Sequence, residues 1–173
     1  MSATPNITYR KASIADCPTV AKVHVRSWRE SFAGLVPETV MNQITVGKRI
    51  KAFQERFKSD SYQMYVAESD GDVIGFVDWG SPRQEIKGYE AELYAIFLLP
   101  ESQGSGVGRQ LFSLCVQGMA KSGMRSMYLL TFENSPYRSF YDKMGGRVIK
   151  KMDLEIEGMM FDTVVYVWDI GTS

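Results

Sequence analysis

The chain is poor in the residues that build metal centres and covalent staples. Its 173 residues include one histidine and two cysteines, Cys17 and Cys115, which form no CxxC pair. One His and two separated Cys do not complete a zinc set, so no metal is expected. Two thiols are also too few to scaffold a domain of this length, which points to a reducing, cytoplasmic compartment. An excess of charge of one sign is missing too: Lys plus Arg number 20, as do Asp plus Glu. A nucleic-acid partner would favour a large positive excess, so none is expected. No run approaches the roughly 20 apolar residues of a membrane span. Met1–Tyr9 is polar and lacks the apolar stretch of a secretory signal, so no membrane association is expected. No repeat, low-complexity tract or linker interrupts the chain, and 1–173 reads as a single domain.

What is present is ordinary core material, 45% hydrophobic, in a chain long enough to bury it. Ile7–Lys11 is the first strand candidate. Ser13 with Asp16 three residues on reads as a helix cap. Val20, Ala21, His24, Trp28 and Phe32 then recur at helical spacing until Gly34 and Pro37 interrupt them. A second helix is expected over Lys48–Phe57, with Ile50, Phe53 and Phe57 on one face. Gln63–Glu68 alternates as a strand, Asp70-Gly71 is a hairpin turn, and Val73–Trp79 returns. After the polar loop Gly80–Gly88, the apolar run Ala91–Leu99 reads as a central strand. A helix to about Ser122 would bury Val107, Leu111, Leu114 and Cys115. Ser126–Phe132 is a further strand, and Pro136 opens a short helix through Met144. Arg147–Ile156 and Phe161–Asp169 form a final hairpin around Glu157-Gly158. This order predicts an α+β fold in three α/β/α layers around a mixed sheet.

Chemistry concentrates where the central strand runs into Gln103-Gly104-Ser105-Gly106-Val107-Gly108-Arg109 and then a helix. The first N–H groups of a helix lack intrahelical partners and carry partial positive charge, so such a start binds anions. Glycines let a phosphate approach the backbone closely. A Walker loop would require Gly-Lys-Ser/Thr, but Arg109-Gln110 follow Gly108. The dinucleotide fingerprint would require glycine at position 109, and the loop comes late in the chain.

The pattern Gln103-x-x-Gly106-x-Gly108 after an apolar strand resembles the acetyl-CoA loop of the GCN5-related N-acetyltransferase (GNAT) superfamily. Asn134 through Phe140-Tyr141 to Gly145-Gly146 resembles the second signature of that superfamily, at the expected separation. The resemblance implies a mixed, mostly antiparallel sheet with a splayed central strand pair. It implies acetyl-CoA as co-substrate. The backbone of Gln103, Gly104, Ser105, Gly106, Val107, Gly108 and Arg109 would hold the pyrophosphate. The strand backbone at Ile96, Phe97 and Leu98 would hold the pantetheine arm, with help from Asn134. Tyr141 would protonate the departing thiolate.

Glu92 stands eleven residues before Gln103, the separation of the catalytic Glu in the histone-acetylating branch, and so resembles the general base that relieves the amine of its proton. Its neighbours Leu93 and Ala95 would give it a partly apolar setting. Trp28, Phe32 and Tyr94 are candidate acceptor-site residues, and His24 reads as a hydrogen-bonded, half-buried helix residue. The implied activity is acetyl transfer to a primary amine of a small metabolite by direct attack in a ternary complex. A protein N-terminus or lysine is the alternative acceptor, and a non-catalytic acyl-CoA-binding regulatory module is the alternative of another class. A homodimer is a further expectation of the resemblance.

Overall fold

The first element of the computed structural model, strand β1 (Ile7–Lys11), lies beside β2 (Gln63–Ser69) at one edge of the sheet. The model describes residues 3–171, so residues 1–2 and 172–173 of the expected domain lie outside the described residues. The seven strands take the order β1-β2-β3-β4-β5-β7-β6, completed by β3 (Asp72–Gly80), β4 (Ala91–Leu98), β5 (Ser126–Phe132), β6 (Arg147–Ile156) and β7 (Met159–Asp169). All pairs are antiparallel except β4 with β5.

Turn chemistry sets two of the hairpins. Asp70 and Gly71 both take positive φ, as do Glu157 and Gly158. That is the two-residue geometry whose twist matches paired strands. The second turn pairs Ile156 with Met159, so β7 begins two residues earlier than its apolar pattern predicts.

Helices cover both faces. On one side α1 (Cys17–Phe32) and α3 (Val46–Arg56) pack through Val20, Phe53, Met64 and Phe76. A single 3-10 turn over Ile14–Asp16 precedes α1, and the Asp16 carboxylate accepts the Ser13 N–H at 2.8 Å. Thr45 Oγ1 accepts the Lys48 N–H at 3.3 Å, and this cap starts α3 at Val46 rather than Lys48. A four-residue helix, α2 (Glu38–Met41), lies between them and has no counterpart in the sequence reading, since it is shorter than two turns.

On the other face α4 (Val107–Lys121) buries Val107, Leu111, Phe112, Cys115 and Met119. Leu114 is only partly buried, a correction to the expected stripe: Phe112 and Met119 take its place because the helix is rotated toward Trp79 and Trp168. Burying side chains of this size contributes about 1.5–3 kcal/mol each. The last short helix, α5 (Arg138–Lys143), begins two residues after Pro136, which instead lies in the preceding turn. There the Ser135 hydroxyl accepts the Tyr137 N–H at 3.1 Å.

Candidate active site

Strand β4 positions the site through two irregularities. Its register with β3 shifts between Asp78 and Trp79, where Asp78 faces Ala95 but Trp79 faces Leu93. Tyr94 is the extra residue of this bulge, and it re-aims the strand. Leu93, Ile96 and Leu98 therefore face the α4 core, whereas Tyr94, Ala95 and Phe97 face α1 and α3. The second irregularity is a splay. The parallel ladder to β5 holds only at Ala91–Met127 and Glu92–Tyr128, and beyond it the two strands part. Backbone polar groups along this edge of β4 therefore have no strand partner. The gap opens a cleft of about 960 Å³.

At the open end of the gap, Gly106 caps α4 with φ 87°, and Gly104 also takes positive φ, 74°. A Cβ built at either would meet no protein atom within 4 Å, so the space beside the loop is open. The free N–H groups of the first turn of α4 border that space. A glycine loop at the start of a 15-residue helix, beside an unpaired strand edge, fits both the pyrophosphate and the amide-bearing arm of a coenzyme A thioester. Gln103, Gly104, Gly106, Gly108 and Arg109 line the cleft, as do Ile96, Phe97 and Leu98. Ser105 and Val107 do not: the Ser105 hydroxyl donates to Ser102 O at 2.6 Å, and Val107 is buried under the helix.

Tyr141 lines the cleft from α5, among the rings of Phe140, Tyr166 and Trp168. Its hydroxyl has no hydrogen-bond partner among the described residues. Burial, with a smaller contribution from Tyr166, raises its pKa above the ordinary value, so at neutral pH it keeps its proton. Asn134 departs from expectation. It is exposed and belongs to a separate, smaller pocket with Leu35, Met160 and Asp162, while its neighbour Ser135 lines the cleft.

Glu92 is 1% exposed, but its setting is the reverse of the apolar one expected. Oε1 accepts from Arg83 Nη2 at 2.8 Å and Nε at 3.2 Å. Oε2 accepts from the Arg83 backbone N–H at 2.8 Å and shares the one Tyr128 hydroxyl proton, at 3.0 Å, with Gln84 O at 2.8 Å. The loop before β4 folds back over the carboxylate, which the apolar neighbours in sequence do not reveal. The Arg83 guanidinium lies 4.3 Å from the centre of the Tyr94 ring, and Arg56 lies 5.2 Å from it. Arg56 Nη1 donates to the fully buried Asp78 at 3.0 Å, and the Tyr62 hydroxyl donates to the same oxygen at 2.6 Å.

Trp28, Phe32 and Tyr94 all line the cleft. His24 is 6% exposed, not half-buried, and its Nδ1 has no partner, which corrects the expectation of a hydrogen-bonded histidine. The rings of Phe53, Phe76 and Phe97 meet it edge-on because α1 lies over β3 and β4 and against α3. Burial, then the charges of Arg49 and Arg56, hold its pKa well below the ordinary value, so the imidazole is neutral.

Sequence reasoning missed Arg49, Arg56 and Arg83. The spacing of Arg49, Phe53 and Arg56 puts both cations on one stripe of α3 around a buried ring, a signal that was available. Arg83 sits in an irregular loop and gave no periodic signal. An acidic residue inside an apolar strand was the only hint that it needed a partner.

A family model for the acetyltransferase (GNAT) family matches residues 26–146. The chain belongs to the GNAT acetyltransferase family. It is 34% identical to the uncharacterized N-acetyltransferase YuaI of Bacillus subtilis over 164 residues, 94% of this chain and 92% of that one. It is 30% identical over 149 residues to the spermidine N(1)-acetyltransferase of Thermoplasma acidophilum, covering 83% and 89%. Among solved structures it resembles the PaiA N-acetyltransferase of Thermoplasma acidophilum in complex with coenzyme A, with a TM-score of 0.74, 23% identity, and coverage of 95% and 99%. The protein is thus an acetyl-CoA-dependent N-acetyltransferase, and the splayed β4–β5 pair is that of its fold. The non-catalytic alternative falls with this membership. No helix among the described residues is long and apolar enough to cross a membrane.

Proposed function

We propose that this GNAT acetyltransferase moves the acetyl group to a primary amine of a small molecule by direct attack within a ternary complex. The observation that carries the reading is the shape of the cleft. Its acceptor end is walled by α1, α3, β4, β5 and the β6–β7 hairpin, an enclosure that suits a small acceptor better than an extended protein segment. Both cysteines are fully buried and neither lines the cleft, which supports direct transfer without a cysteinyl intermediate.

Acetyl-CoA supplies the acetyl group as a thioester already reactive toward amines. The loop Gln103–Arg109 binds its phosphates, and the β4 edge at Ile96–Leu98 pairs with its arm, assisted by Ser135 rather than Asn134. An unpaired β4 N–H polarises the carbonyl. Tyr141 donates its proton to the departing thiolate. With both oxygens engaged, Glu92 serves as a positioning residue that holds Arg83 and the floor beneath Tyr94. One ammonium proton leaves to water in the cleft before attack, and the second, released as the tetrahedral intermediate collapses, passes through water to restore the Tyr141 phenol.

Initial rates of thiol release, with acetyl-CoA and an amine panel both varied, test the reading. Intersecting double-reciprocal lines are expected. Parallel lines would replace it with a covalent acyl-enzyme, and preferential use of protein N-termini or lysines would replace the small-molecule acceptor.

A further inference from the structure

The acceptor end of the cleft holds one guanidinium that no carboxylate among the described residues pairs directly. Arg56 and Arg83 are each paired, with Asp78 at 3.0 Å and with Glu92 at 2.8 Å. Arg49, one turn of the stripe above Phe53, also lines the cleft, but among the described residues its guanidinium makes no hydrogen bond or ion pair with a side chain or backbone group. It is partly buried, and burial together with the charge of Arg56 lowers its pKa without removing its proton. Beside it stands neutral His24, whose Nδ1 is also without a partner. Glu157 and Asp78 attract Arg49 across space without pairing with it. Glu157 bonds Lys48 at 3.4 Å, and Glu155 is exposed at the rim on β6.

A partly desolvated guanidinium without an acceptor is costly, and its flat fork matches an oxyanion through two parallel hydrogen bonds. The phosphate-binding loop starts α4, which packs on the opposite face of the sheet from the α3 helix that carries Arg49. The phosphates of the co-substrate are met by that loop, which leaves Arg49 for another anion. A polycation such as spermidine would leave the Arg49 guanidinium without an acceptor.

We infer that the acceptor is a primary amine carrying its own oxyanion, which Arg49 receives while the amine points along Tyr94 toward the β4–β5 gap. This rests on the acetyl-transfer reading above. The α-amino acids are the simplest carboxylate form of this chemistry, and aminoalkylphosphonates are the phosphonate form.

The test compares kcat/KM for the full chain on matched pairs: each L-amino acid against its decarboxylated amine, together with 2-aminoethylphosphonate and spermidine. At least one anionic amine is expected to exceed its uncharged counterpart and spermidine by ten-fold or more. Preference among carboxylates and phosphonates then names the anion. Arg49→Gln is expected to collapse that ratio toward one through KM, Arg49→Lys to keep part of it, and Arg49→Glu to shift preference toward cationic amines. Equal or better use of the decarboxylated amines or spermidine by the parent overturns the inference even if no Arg49 variant folds. So does a ratio unchanged in Arg49→Gln. The two readings fail differently. Transfer without anion preference sinks only the acceptor assignment, whereas thiol release with none of the amines, despite stabilisation by acetyl-CoA, sinks the small-molecule reading beneath it.

Discussion

Replacing Glu92 by Gln separates the two roles a carboxylate can play at this point of the cleft. The substitution keeps the shape and removes the charge. Each carboxylate oxygen accepts two donors, from Arg83 and Tyr128. The amide nitrogen of Gln, on whichever side it lies, would face two donors and lose both bonds. Hydrogen bonds to a charged group contribute about 1.5–3 kcal/mol each. The Arg83 side chain is 46% exposed, so its share is discounted for solvent. What remains is about 2–4 kcal/mol, a fall in Tm of about 4–16 °C for a domain of this size. Arg83→Gln should cost a similar amount, and the double variant should be less destabilised than the sum, since both changes break one unit. For a positioning residue, the pH–rate profile of Glu92→Gln drops without changing shape. A variant that melts within about 1 °C of the parent while losing the low-pH limb of its rate profile would refute this reasoning and make Glu92 the base.

Other outcomes follow from the same geometry. Acetyl-CoA at a hundred times its dissociation constant should stabilise the parent by about 2.7 kcal/mol. The resulting rise in Tm should vanish in Gly106→Asn, which tolerates the positive φ of 87° but fills the space beside the loop. Tyr141→Phe should lower kcat by about a hundred-fold with little change in KM for acetyl-CoA, the signature of a lost proton donor; an unchanged kcat would exclude it from the reaction. Gly118→Ala places a Cβ 2.5 Å from Trp79 Cζ2, with backbone on one side and a core indole on the other. It should destabilise the fold by about 1–3 kcal/mol, read by urea denaturation, while the acetyl-CoA response persists.

Local pattern was enough for most of the fold. β1 and β5 coincide with the strands expected at Ile7–Lys11 and Ser126–Phe132, and the Asp70-Gly71 and Glu157-Gly158 turns carry their own geometry in residues that accept positive φ. The geometry of the glycine loop could be read in the same way, because a glycine-rich turn at a helix start is a continuous segment whose conformation resides in its backbone. Such features depend on neighbours in sequence, so they can be read there. α2 and the true starts of α3 and β7 were not legible, since a cap or a tight turn moved each boundary by two residues or produced an element too short for a period.

The acceptor end was decided by tertiary structure. Glu92 looked like a carboxylate in an apolar strand until the loop ahead of β4 brought Arg83 onto both its oxygens. The bulge at Tyr94 turned its ring between two guanidiniums supplied by α3 and that loop. Asn134 and Ser135 are adjacent in sequence, yet the turn after β5 puts one in each of two pockets. Sequence by itself marked the glycine-rich helix start proposed for the phosphates of acetyl-CoA, because that loop is one stretch of chain whose backbone carries the donors. Only the fold determined the charge at the proposed acceptor end of the cleft, because Arg49, Arg56, Arg83 and His24 come from distant segments and their electrostatics depend on burial and distance.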